Sequence, residues 1–277
     1  MPINKELNFD DLYKFWEYSL KNSNARIKSS RENFDIKWSG GLTWEQAKII
    51  ALNGWKDGMK EIEKYRAKIT PAITDKVLRA YQVYAVTGSS VDVGRFLSND
   101  PECFVSRELK EMNYPGKVFK IVVSISFSAE ITPETIIQRG AIICALIDAI
   151  EFAGHRTEVV CNWAVSVGSN DSERQGENKE HGWLEVSVII KKSSQPLDMT
   201  DLAFCLAHPA MLRRIMFSVA EIEGWSDRVE RYGYPAEATE KGDMYIKEIF
   251  TGNIHDNEAI MWVTEELIKL GINIVME

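Results

Sequence analysis

Residues 118–167 read VFKIVVSISFSAEITPETIIQRGAIICALIDAIEFAGHRTEVVCNWAVSV, and this stretch decides the fold. It opens on a near-continuous β-prone run in which Val118, Ile121, Val123, Ile125 and Phe127 recur, the pattern of a buried strand. Thr132-Pro133-Glu134-Thr135 follows. Threonine is a preferred helix N-cap, and proline suits the first helical position because the N–H it lacks would be unbonded there anyway. The helix so opened carries an apolar stripe of Ile136, Ala141, Cys144, Ala145, Ile147 and Phe152, and Gly154 ends it. A second buried-type strand spans residues 157–167. Strand, helix and strand with such short connections predict a parallel pair joined by a right-handed crossover.

Towards the carboxyl terminus, the polar run GSNDSERQGENKEHG (168–182) predicts a surface loop. Residues 183–191 then alternate, with Leu184, Val186, Val188 and Ile190 on one face, so a third strand is expected antiparallel to the second. Residues 198–206 and 209–223 read as helices and residues 224–244 as a loop. A short strand over 245–250, a helix over 257–270 ended by Gly271, and a last strand over 272–275 complete this half.

Towards the amino terminus, Phe9, Leu12, Trp16 and Leu20 recur at helical spacing and predict a helix over 8–21, with Asn8 as its cap. Residues 22–41 read as a loop. Thr43 and Gln46 form a capping-box pattern that opens a second helix. Gly54 and Gly58 within it imply a break or the close approach of another backbone, since glycine costs a helix about 1 kcal/mol relative to alanine. Thr70-Pro71 is expected to end the element. Residues 78–86 read as a strand, and 87–104 as a structured loop with one short helical or extended piece.

The net charge of −8 disfavours a protein that coats nucleic acid, because such binding rests on Lys and Arg neutralising phosphates. Arg26 to Arg31 (RIKSSR) and Arg213-Arg214 are the basic exceptions, read as solvated helix ends or ion-pair partners. The four cysteines, Cys103, Cys144, Cys161 and Cys205, form no CxxC pair and sit among apolar residues. They read as buried free thiols, in keeping with a reducing cytoplasm. The polar, acidic start MPINKELNFDD does not read as a secretory signal. The most apolar stretch, residues 141–150, is too short to span a bilayer.

The first strand of the central unit runs out through Ser124-Ile125-Ser126-Phe127-Ser128. A strand, a D-x-S-x-S motif, a helix ending in glycine and a second strand of Glu-Val type resemble the opening of the von Willebrand factor A-like fold. The resemblance covers about residues 117–195. In that family the aspartate and both serines form part of a divalent-metal site at the carboxyl end of the strand. Ser126 and Ser128 match the serines and are the implied metal ligands; Ser124 stands where the aspartate belongs. Hard cations are held by oxygen ligands that usually include carboxylates, so hydroxyls alone imply at most weak Mg²⁺ binding. Glu130 is a nearby carboxylate outside the motif. The segment VDVGRFLSNDPECF, with the later LAHPAMLRRIMF, also resembles an uncharacterised family of bacteriophages and mobile elements.

Other groups have chemical potential. Asp92, Arg95, Asp100 and Glu102 gather within one loop, a composition that suits cation binding or a turn. Asp148, Glu151 and His155 share a helical face, as a carboxylate–histidine cluster or as the polar edge of a half-buried helix. His181, His208 and His255 lack partners at motif spacing, and no P-loop, G-x-G-x-x-G or G-x-S-x-G occurs.

The expectation is therefore an α/β protein with a mainly parallel sheet and helices on both faces, von Willebrand A-like and Rossmann-type. A helical region over 1–75 packs on an α/β domain over 76–277. The functional expectation is a non-catalytic interaction or assembly protein, cytoplasmic, binding a protein partner or itself. The alternative is a divalent-metal-dependent hydrolase of nucleic acid or nucleotides built on the acidic groups.

Overall fold

The structure, a computed structural model, describes residues 4–32, 35–88, 90–111, 116–168, 182–247, 252 and 254–272. The chain enters with strand β1 (Asn4–Phe9) and helix α1 (Leu12–Ser19). Helices α2 (Trp44–Asn53) and α3 (Met59–Val77) flank a 3-10 turn over Lys56–Gly58. Strands β2 (Leu78–Ala85) and β3 (Ser90–Val91), helix α4 (Val93–Leu97) and strand β4 (Phe104–Glu111) follow. The central unit is β5 (Val118–Ser124), α5 (Pro133–Phe152), β6 (Arg156–Ser166) and β7 (Trp183–Lys191). Helix α6 (Met199–Ala207) leads into a π-helical turn (Met211–Met216), α7 (Phe217–Ile222) and α8 (Trp225–Val229). Strands β8 (Tyr234–Ala236) and β9 (Met244–Ile246) and helix α9 (Asp256–Lys269) close the described chain.

The main sheet has the order β1-β7-β6-β5-β9, with β8 added to β6. Pairs β5/β6, β5/β9 and β1/β7 are parallel, while β7 and β8 run antiparallel to β6. This is the expected mixed α/β architecture with a mainly parallel sheet flanked by helices. The central β5–α5–β6 unit and the antiparallel β6/β7 pair stand as read. Thr132 caps α5 by accepting from the Thr135 N–H at 3.2 Å.

The two faces of the sheet differ from the expectation. Phe119, Ile121, Val123, Cys161, Trp163, Val186 and Val188 join one large core with residues of α1, α2, α3, α5, α6, α7 and α9. Among the described residues, the buried apolar cluster on the other face, Val122, Val160 and Ala238, has no helical member. Polar side chains share that face with Ile189 and Tyr245: buried Glu185 accepts from Asn162 Nδ2 at 2.7 Å and from the Thr239 hydroxyl at 2.7 Å. Helices on both faces would leave such a carboxylate against apolar helix surfaces without donors.

The amino-terminal region also differs. Residues 4–9 pair with β7 and extend the sheet, so the region is not wholly helical. Leu7 and Phe9 pack on the core while Glu6 and Asn8 are exposed, a period of two where helical spacing was read. Helix α1 starts later than expected and is capped by Asp11, whose carboxylate accepts from the Lys14 N–H at 2.9 Å. Thr43 and Gln46 do close a capping box on α2, and Gly54 does break it. Gly54 has φ +73°, and a Cβ there would stand 2.2 Å from Thr200 Oγ1. Helix α3 continues past Pro71 to Val77, further than the sequence implied.

Strands β2, β4 and β3 form a separate antiparallel sheet. Residues 104–111, which carry no clear strand signal, pair along the full length of β2. All four cysteines are free and buried. No single helix among the described residues is long and apolar enough to cross a membrane. The expected last strand over 272–275 and the end of that over 245–250 lie outside the described residues.

Candidate functional site

At Ser124 strand β5 leaves the sheet, and β8 takes its place beside the upper half of β6, pairing with residues 164–166. Chain separates there at the carboxyl ends of parallel strands, where ligands of open α/β sheets collect. A pocket of about 300 Å³ opens at this point. Ser126, Phe127 and Ser128 line it from the β5 side, Trp163 and Val165 from β6, Leu212, Arg213 and Phe217 from the π-helical turn and α7. Arg231, Tyr232 and Tyr234 approach from the segment leading into β8, and Trp38 from the loop before α2.

The serine ladder serves the backbone. Ser124 Oγ accepts from the Ser126 N–H at 3.3 Å, and Ser126 Oγ accepts from the Ala164 N–H at 2.8 Å. Ser126 thus supplies an acceptor in the gap between the end of β5 and the start of β8. Both hydroxyls are buried, whereas Ser128 is half-exposed at the pocket wall. Among the described residues the lining holds no carboxylate, and Glu130 is exposed outside it. Neutral hydroxyls beside Arg213 and Arg231 do not fit a divalent cation, which needs anionic oxygen and is repelled by guanidinium. Among the described residues, no His, Cys, Asp and Glu side chains gather as a metal-binding group.

Arg213-Arg214 is not a solvated basic patch, and neither residue makes an ion pair among the described residues. Each side chain is 1% exposed and donates to backbone carbonyls. Arg213 bonds Trp38 O and Ile131 O, and its guanidinium lies 4.2 Å from the Trp38 ring centroid. Arg214 points the other way, to Ser29 O, Ser30 O and Glu32 O. Burial lowers the Arg213 pKa to about 10, opposed by the charge of Asp35, so it stays protonated at neutral pH. Its Nε–H has no partner among the described residues. The π-helical turn presents both arginines, and π-bulges recur at functional sites.

These contacts explain the loop over 22–41, including RIKSSR, which forms no helix end among its described residues. Buried Glu221 accepts from the Ser30 N–H at 3.0 Å, from its hydroxyl at 2.7 Å and from the Tyr232 hydroxyl at 2.7 Å. Asp227 accepts from the Arg26 and Ile27 amides, each at 2.8 Å. The loop thereby brings Trp38 over Arg213. Phe217 and Tyr232 stack with centroids 3.6 Å apart to make the facing wall, and Arg231 lies 4.7 Å from the Tyr234 ring centroid.

The other sequence candidates lie elsewhere. Asp92 caps α4 by accepting from the Arg95 N–H at 3.1 Å, which holds its pKa below the usual value. Arg95 pairs with Asp100 at 3.2 Å and lies over Tyr84, and Asp100 accepts from the Glu102 N–H at 2.9 Å. These groups build the turn at the small sheet, and none lines the pocket.

Asp148, Glu151 and His155 sit at the opposite end of the main sheet, because α5 runs antiparallel to the strands it joins. Asp148 pairs with Arg66 at 2.8 Å, and Glu151 reaches buried Lys191 at 2.5 Å. His155 Nδ1 accepts from the Lys117 N–H at 3.2 Å. The structure does not bring these carboxylates to Ser126 and Ser128. His208 is buried and its Nδ1 accepts from the Ala210 N–H at 3.0 Å. His255 is the N-cap residue of α9, and His181 lies outside the described residues.

The sequence pointed to Ser126 and Ser128, which line the pocket, but not to its arginines and aromatic walls. Their legible trace is LAHPAMLRRIMF, where adjacent arginines interrupt an apolar run and so must be buried with it. Trp38 and Tyr232 carry no such trace, since they lie in stretches that read as ordinary loop.

Residues 3–274 match the family described as a domain of unknown function (DUF7192), and the chain belongs to that family. No curated protein and no solved structure matches the chain.

Proposed function

We propose that this family member is a non-catalytic interaction protein of phage or mobile-element origin. It uses a metal-free von Willebrand A-like scaffold to bind a macromolecular partner, another protein or a second copy, at the carboxyl-end face of its sheet. The observation that carries this reading is the pocket lining: aromatic rings, buried Arg213, rim Arg231 and serine hydroxyls, with no carboxylate or histidine among the described residues to act as base, nucleophile or ligand. The parallel β5–α5–β6 unit, with its serine ladder at the strand end, supports the scaffold reading. The phage or mobile-element reading rests on the two quoted segments, and LAHPAMLRRIMF supplies Leu212, Arg213 and Phe217 to the pocket.

The test is thermal unfolding of chelator-treated protein with and without millimolar Mg²⁺ or Mn²⁺, alongside hydrolysis assays on nucleotides and oligonucleotides. The expected result is no stabilisation and no turnover. A native-state ligand at 100 times its Kd adds about 2.7 kcal/mol. A metal-dependent gain of that size, lost in Ser128→Ala, or metal-dependent hydrolysis, would favour the enzyme alternative.

A further inference from the structure

Resting on the reading of this pocket as a recognition site, we propose that the group it takes is an aromatic carboxylate. The protein carries a net charge of −8, yet among the described residues the charged side chains of the lining, Arg213 and Arg231, are both cationic. A local potential opposite to that of the whole molecule selects an anion. Arg213 is 1% exposed, makes no ion pair among the described residues, and has a buried Nε–H with no partner there. Its close contacts are two carbonyls and the Trp38 ring, with the charge of Asp35 acting only at longer range, so a monoanion brought to it offsets part of the cost of burying the cation.

The rest of the lining selects a ring. Trp38, Phe217, Tyr232 and Tyr234 present aromatic surface, and pockets of about 300 Å³ are at the lower end of the range for small organic groups. Ser128 is the accessible hydroxyl beside them. Arg213 is buried whereas Arg231 is exposed and screened by solvent, so one unscreened positive charge faces the ligand, which favours a carboxylate over a phosphate dianion. The same chemistry occurs in a free aromatic acid and in the last residue of a partner protein ending in Phe, Tyr or Trp.

The experiment is a calorimetric titration of the full chain, in chelator, with N-acetyl-phenylalanine and its carboxamide. Parallel arms use phenyl phosphate, and a nonapeptide ending in phenylalanine with a free or amidated terminus. The acid is expected to bind at least roughly tenfold tighter than the amide, because a hydrogen bond to a charged group is lost. Arg231→Gln, at an exposed position, is expected to weaken the acid and leave the amide unchanged. Arg213→Lys serves as a second variant wherever it folds.

Equal binding of acid and amide, no binding of either at millimolar concentration, or tighter binding of phenyl phosphate overturns the inference. If the small acid binds and the free-ended peptide does not, the inference stands and the macromolecular-partner reading falls. If the peptide binds regardless of its terminus, the inference falls and that reading stands.

Discussion

The hydroxyl of Ser126 lies 2.8 Å from the amide nitrogen of Ala164, on the neighbouring strand, at the position where β5 has already left the sheet. A side chain there completes the hydrogen bonding of a strand edge. The pocket exists because β5 turns away and β8 arrives only further along. Ser126 allows that gap without an orphaned amide.

Ser126→Ala removes this acceptor and leaves a buried N–H unpaired. The expected loss is about 1–3 kcal/mol in urea unfolding. Ser128→Ala, at a half-exposed wall position, should stay within about 0.5 kcal/mol. Equal losses at the two positions would argue against the bridging role of Ser126.

His208 should make the protein acid-sensitive. Burial lowers its pKa from 6.5 to about 4. The unfolded chain therefore takes up the proton first as pH falls. This contribution to stability is complete above about pH 6.5, is lost between 6.5 and 4, and amounts to about 3 kcal/mol. Asn at this position retains an acceptor for the Ala210 N–H but does not titrate. The difference in unfolding free energy between wild type and His208→Asn should narrow across that window. A pH-independent difference would show that His208 is not the sensitive group.

Gly140→Ala should destabilise, against helix propensity. Alanine in a helix interior is favoured over glycine by about 1 kcal/mol. At Gly140, however, the new Cβ would stand 2.2 Å from Ala207 Cα, so α5 and α6 must part. Overpacking of this kind costs about 1–3 kcal/mol or more. An increase in Tm would mean that the two helices do not meet at this glycine.

Glu221→Leu should release the loop over 22–41 while α7 persists. The carboxylate is the shared acceptor for Ser30 and Tyr232. Trypsin should then cut at Arg26, Lys28 or Arg31 many times faster than in wild type, measured by mass spectrometry of early fragments. Unchanged cleavage would mean that Arg214 and Asp227 suffice to hold the loop.

The sequence by itself determined the elements whose signals are local. The apolar run ending at Ser124, the Thr132-Pro133 cap, Gly154, the apolar run over 157–167 and the alternation over 183–191 specify a strand, a helix and two more strands. The short connections on either side of the helix fix the parallel pairing. The Thr43–Gln46 box and the break at Gly54 belong to the same class, since each depends on hydrogen bonds or torsions a few residues apart.

What only the tertiary structure decided is where distant segments meet. Strand β1 has too few apolar residues to announce itself; pairing with β7 makes it a strand. The partners of Arg213 and Arg214 are carbonyls roughly 180 residues away for the loop over 22–41, and no local pattern encodes a carbonyl's position. Asp148 and Glu151 look like a site on a helical wheel, yet Arg66 and Lys191 claim them. The pocket arises from the same non-local cause: β5 departs, β8 arrives from far along the chain, and the loop of Trp38 is pinned across the opening by buried charge.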